Sequence, residues 1–138
     1  MMKKLLSLII LFLFMSTLLL AQRVIEFQSP EAKIYIENYE PDSLLIIDGR
    51  TQSMFESGHL KNAVNINAFS ENADQELTKY LDRKRILIYC TKSNRSRTIV
   101  NKLQLLDYAG EIVFVTDGIT GWKNNDFELV VDSIDSEP

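Results

Sequence analysis

Short, unbroken apolar runs rich in β-branched residues punctuate the chain, and between them apolar positions recur three and four residues apart. Those are the periods of buried strands and of one-sided helices. Leu44-Leu45-Ile46-Ile47, Ile86-Leu87-Ile88-Tyr89 and Ile112-Val113-Phe114-Val115 show no polar alternation, as expected of strands covered on both faces. Val24, Ile25 and Phe27 alternate weakly and fit an edge strand; Val64-Asn65-Ile66 is a further short segment. Helical patterns fill the gaps. Ser29-Pro30-Glu31 is a start signal, with serine as N-cap, proline at the first helical position and glutamate in the first turn. It opens a helix over 32–40 with Ile34, Tyr35 and Tyr39 on or near one face, stopped by Pro41-Asp42-Ser43. A short helix fits 52–57. Ser70 caps another, with Ala73, Leu77, Tyr80 and Leu81 at helical spacing. A last one begins near Ser96, carries Ile99, Val100, Leu103 and Leu106, and is terminated by Gly110.

Strands alternating with helices need crossover connections, which are right-handed and make neighbouring strands parallel. The predicted fold class is therefore α/β, with a mostly parallel central sheet of about five strands and helices on both faces. Ligands in such folds bind at the carboxyl ends of the strands. Asp48, Cys90 and Asp117 fall there.

The first 21 residues stand apart from this pattern. Lys3 and Lys4 precede an uncharged apolar run over 5–20, and Ala21-Gln22 is a cleavage point of the kind a secretory signal peptide carries. Leu19 is large for its place before such a cut and the run approaches membrane-spanning length, so a retained anchor is the minority alternative. The expectation is an exported protein, periplasmic or secreted after cleavage, touching a membrane only if the leader is uncleaved. Residues 22–138 then form a single domain, with a core over about 29–130 and an acidic tail over 131–138. Without the two leader lysines the formal charge of −4 becomes −6, which argues against nucleic acid as a partner.

The chain holds one cysteine, so the body stands without internal disulfides. A lone cysteine is commonly a small buried hydrophobe. Cys90, however, ends an apolar strand and faces the polar run Thr91-Lys92-Ser93-Asn94-Arg95 just before a helix. Loop N–H groups and the positive end of the helix dipole converge on such a point. Successive N–H groups form an anion-binding nest, to which Arg95 adds a fork of donors. Negative charge on sulfur is stabilised there, as a thiolate, a persulfide or a bound sulfur oxyanion.

In these residues the chain resembles the rhodanese (thiosulfate sulfurtransferase) superfamily in its single-domain form. The matching segments run from Ser29 to about Trp122: Leu45-Ile46-Ile47-Asp48-Gly49-Arg50, Phe55-Glu56-Ser57-Gly58-His59-Leu60, Ala63-Val64-Asn65-Ile66, the loop Tyr89 to Ser96, and Gly118-Ile119 with Trp122. Their order is the family's. The resemblance implies that Cys90 accepts a sulfane sulfur, becomes a persulfide, and passes the sulfur to a thiophilic acceptor. Thr91, Lys92, Ser93, Asn94 and Arg95 are then the substrate cradle, with Lys92 and Arg95 contacting a small anionic donor such as thiosulfate. The acceptor is a thiol or cyanide. No metal and no cofactor are implied. Asp48, Arg50 and His59 are supporting scaffold, and Trp122 is core packing. An imidazole suits proton transfer near neutral pH, but the family's histidine at the position of His59 is structural.

Several residues depart from the family pattern. Ser93, Asn62 and Asp117 stand where glycine is expected, so the loop must curl despite the Cβ of Ser93. Met54 stands where an acidic partner for Arg50 is usual, leaving Glu56 as a substitute. Two rival functions follow. A non-catalytic rhodanese-like module would carry sulfur or bind a partner without turnover, since a fold does not establish activity. A cysteine phosphatase ranks below it, because such enzymes use C-x5-R while Cys90 and Arg95 enclose four residues, and Tyr89 replaces the preceding histidine.

Overall fold

A computed structural model describes residues 1–7, 9 and 23–131. The cleavage point of the leader, most of its apolar run and the tail over 132–138 lie outside the described residues. Among the described residues no helix is long and apolar enough to cross a membrane.

Five strands form one sheet: β1 (Val24–Phe27), β2 (Leu45–Asp48), β3 (Ala63–Asn65), β4 (Arg85–Tyr89) and β5 (Glu111–Val115). Their spatial order is β1-β5-β4-β2-β3, and every pairing is parallel. Between them run α1 (Ser29–Glu37), α2 (Gln52–Glu56), α3 (Ala73–Thr78) and α4 (Asn94–Leu105), with α5 (Gly118–Asn124) after β5. The α/β class and the covered sheet are as the pattern of apolar positions predicts.

Burial explains the unbroken apolar runs. Ile86, Ile88, Ile112 and Phe114 pack with Leu77, Ile99 and Leu103 on one face of the sheet. Leu87, Tyr89, Val113 and Val115 pack with Ala32, Ile119 and Trp122 on the other. A side chain sealed in this way contributes about 1.5–3 kcal/mol, so the interior needs no disulfide. Asp48 pairs with Tyr89 across β2 and β4, which sets Cys90 level with Gly49 at the carboxyl end of the sheet.

Some local expectations are corrected. Ser29 lies inside α1, whose N-cap is Gln28; its N–H and Oγ both donate to Asp117 Oδ1, at 2.9 and 2.8 Å. Ile34 is 62 % exposed, because α1 docks through Ala32, Tyr35, Ile36 and Tyr39 instead. The N-cap of α3 is Asn72 rather than Ser70, whose Oγ donates to Asn67 O. α4 starts at Asn94, two residues before Ser96, and the left-handed residue that follows it is Asp107 (φ 56°), not Gly110.

Candidate functional site

The chain leaves β4 at Tyr89, and the next residue, Cys90, is 1 % exposed. From there the loop turns directly into α4. Its shape is held from behind by α5. Cys90 O accepts from Ile119 N–H at 2.8 Å, and Thr91 O accepts from Thr120 N–H at 3.1 Å and from Thr120 Oγ1 at 2.8 Å. These bonds require close approach at Gly118, which has φ +57° and where a Cβ would lie 2.4 Å from Cys90 O and 2.6 Å from Lys92 O. No other residue type fits both conditions.

With its carbonyls turned to α5, the loop keeps its donors for something else. Among the described residues, no N–H from Thr91 to Ser96 donates to another group of the protein, and no side chain caps α4. Unpaired N–H groups at a helix start form an anion site, reinforced by the helix dipole. Three buried side-chain atoms without a partner lie here as well: Thr91 Oγ1, Arg95 Nε and Ser96 Oγ. Buried polar atoms are nearly always paired, so three unpaired ones within the six residues after Cys90 mark a candidate ligand site.

Arg95 stands in the first turn of α4 with its guanidinium 5.4 Å from the centroid of the Phe69 ring. Among the described residues neither Arg95 nor Lys92 forms an ion pair. A structural ion pair for Arg95 therefore finds no partner among the described residues. Ser93 takes φ −134° and ψ −25°, a conformation open to any residue, so the missing glycine costs the loop no left-handed strain. Asn62 does adopt the left-handed region (φ 63°), whereas at Asp117 it is the following Gly118 that does so. Phe69, 57 % exposed beside Arg95, is a site neighbour that no sequence motif singled out.

Asp48 and Arg50 sit beneath this loop as an internal pair. Arg50 Nε donates to both Asp48 oxygens at 3.0 Å, and Arg50 Nη2 donates to Oδ2 at 2.6 Å and to Gly58 O at 2.7 Å. Asp48 is thus the acid that holds Arg50, and Glu56 is engaged elsewhere, accepting from Gln52. Asn65 Nδ2 ties the Asp48 and Arg50 carbonyls together, and Gly49 N–H donates to Tyr89 O at 2.8 Å. The turn after β2 is thereby fastened to the residue before Cys90. Burial, and then the Asp48 charge, push the Tyr89 phenol well above its ordinary range; its oxygen accepts from Leu60 N–H at 3.0 Å. Tyr89 is a strut and no acid at neutral pH.

His59 is packed into the interior as well. It is 4 % exposed, its ring stacks on Phe55 at 3.7 Å between centroids, and its backbone bridges to Val130.

The family model described as the rhodanese-like domain matches residues 31–125. The chain belongs to that family. Solved structures agree on the fold. A rhodanese-related protein from Thermoplasma volcanium is 25 % identical at TM-score 0.61, covering 80 % of this chain and 99 % of its own. A rhodanese-like domain protein from Staphylococcus aureus is 23 % identical at TM-score 0.64, covering 81 % and 100 %. A thiosulfate sulfurtransferase from Pseudomonas aeruginosa shares the fold over 20 % of its own length and 78 % of this chain, at 15 % identity and TM-score 0.58. No curated protein matches the chain.

The architecture yields a test at Gly118. Gly118→Ala is expected to fold but to push the Cys90 and Lys92 carbonyls away from α5, lowering any reaction that depends on the geometry of this loop by about 100-fold, as displacements near 1 Å do in preorganised sites. Steady-state rates at matched thermal stability check it.

Proposed function

We propose that this protein is a sulfurtransferase in which Cys90 carries a sulfane sulfur as a persulfide. The observation that supports it is the concentration of unpaired polar groups in the six residues after Cys90: the Thr91 to Ser96 N–H groups, Thr91 Oγ1, Arg95 Nε and Ser96 Oγ. Such donors stabilise charge as it develops, without reorganising. With thiosulfate as donor, the Cys90 thiolate attacks the outer sulfur, a new S–S bond forms, and the old S–S bond breaks with its electron pair leaving on sulfite. Arg95 and Lys92 hold the donor's oxygens. The reactive atom then lies about 2 Å further out than the buried thiol, within reach of a thiolate or cyanide. That acceptor takes the outer sulfur and returns the electron pair to Cys90. The balance is complete without a cofactor.

The leader pattern supports export, so the proposed setting is periplasmic or extracellular. Intact-mass measurement after incubation with thiosulfate tests the chemistry. The expected result is the addition of one sulfur atom, removed by cyanide. Wild-type protein that gains no sulfur overturns the proposal for this donor.

A further inference from the structure

Phe69 lies outside both halves of the core and is 57 % exposed, yet its place is closely fixed. An exposed ring alone needs no function. This one sits in a turn fastened to the end of β2: Ile66 N–H donates to Asp48 O at 3.0 Å, and Ala68 N–H donates to Gly49 O at 3.1 Å. Within the turn, Phe69 N–H donates to Asn67 Oδ1 at 3.2 Å and Ser70 Oγ donates to Asn67 O at 2.8 Å, the self-bracing that asparagine gives a turn. Arg95 rests on the same two segments. Its stem passes Gly49, where a Cβ would lie 3.5 Å from Arg95 Cβ. Its guanidinium stands over the Phe69 ring, 5.4 Å from the centroid, within the range of a cation–π contact. Among the described residues Arg95 has no ion pair and its buried Nε has no hydrogen-bond partner, so the ring is left to locate its charge.

We propose that Phe69 is a positioning residue for Arg95: its ring holds the guanidinium ready for an anionic sulfur donor without neutralising it. The inference rests on the sulfurtransferase reading above, in which Arg95 takes the donor's oxygens, and adds the residue that prepares it. An aspartate or glutamate in this place would also hold Arg95, but it would cancel the charge and take up N–H donors that a bound oxyanion needs. A ring attracts the cation through the negative charge of its face and leaves those donors free. Held in advance, the long arginine side chain loses less rotamer freedom when the donor binds. The benefit falls on binding, so it shows in KM and not in kcat.

Steady-state kinetics of the full-length protein with thiosulfate and cyanide test it. Phe69→Leu keeps an apolar side chain and removes the π face; at so exposed a position the fold should survive. It is expected to raise KM for thiosulfate about threefold to tenfold, the span of a cation–π contact, with kcat within about twofold of wild type. Phe69→Trp, which presents a stronger π face, should keep KM at or below the wild-type value. In an Arg95→Gln background Phe69→Leu should move KM by less than about twofold, because the group it positions is gone. Phe69→Leu kinetics equal to wild type, a loss confined to kcat, or additive effects in that cycle overturn the proposal. The same cycle is read without turnover from the Kd of thiosulfate for Cys90→Ser protein, measured by NMR titration. There, an affinity that Phe69→Leu leaves unchanged overturns the role of Phe69, and protein that binds no thiosulfate overturns the donor contact of Arg95 and Phe69's role with it. Wild-type protein that gains no sulfur, while this binding cycle behaves as expected, overturns the sulfurtransferase reading and leaves the pair as an anion site.

Discussion

Cys90→Ser is expected to lose thiosulfate-to-cyanide sulfur transfer by at least about 10^4-fold, the scale on which removal of a covalent nucleophile acts. A hydroxyl at this position is a poor nucleophile toward sulfur. The substitution is nearly isosteric at a position 1 % exposed, so the fold should survive, and thermal unfolding should stay within a few degrees of wild type. Mass spectrometry after thiosulfate treatment should show no added sulfur. Undiminished turnover in the serine variant would refute the nucleophile assignment. Loss of activity with sulfur still bound covalently would move the carrier role elsewhere, which a chain with one cysteine makes chemically difficult.

That experiment rests on a residue the sequence made conspicuous. The three interior strands were equally legible, because burial on both faces leaves a run with no polar alternation, and β2, β4 and β5 are buried almost throughout. Strand order was not. The placement of β5 between β1 and β4 depends on which helix faces fit together, and no local pattern encodes it. Helix boundaries moved for a related reason. A capping serine is worth only about 1 kcal/mol, so a tertiary partner can redirect it, as Asp117 does to Ser29 and Asn67 does to Ser70. The start of α4 at Asn94 has a functional consequence. It puts Arg95 in the first helical turn, joining the cradle's donors to the helix dipole. Of the candidate site, Cys90 and Arg95 were visible from spacing, and Gly118 only as part of a motif. Its reason, a left-handed backbone pressed on the Cys90 carbonyl, appears only in three dimensions.

The second large effect is expected at Asp48. Its side chain is fully buried and that of Arg50 is 5 % exposed. Burial works to lower the Arg50 pKa, but the hydrogen bonds and charge of Asp48 outweigh it, so the guanidinium is held above its ordinary value. Asp48→Ala leaves that cation uncompensated in the interior. Removing one partner of such a pair costs about 3–5 kcal/mol, which for a body of this size lowers Tm by roughly 10–20 °C. Calorimetry or circular dichroism reads the loss directly. The double variant Asp48→Ala/Arg50→Met should recover much of it, since replacing a buried pair with apolar groups is often close to neutral. Activity separates scaffold from chemistry. If Asp48 and Arg50 act only by fastening the turn after β2 to Tyr89, the folded fraction of the double variant retains sulfur transfer within a few-fold of wild type. If stability returns and turnover stays depressed by more than about tenfold, a loss of over 1.4 kcal/mol in transition-state stabilisation, the pair touches the reaction and its assignment as scaffold is wrong.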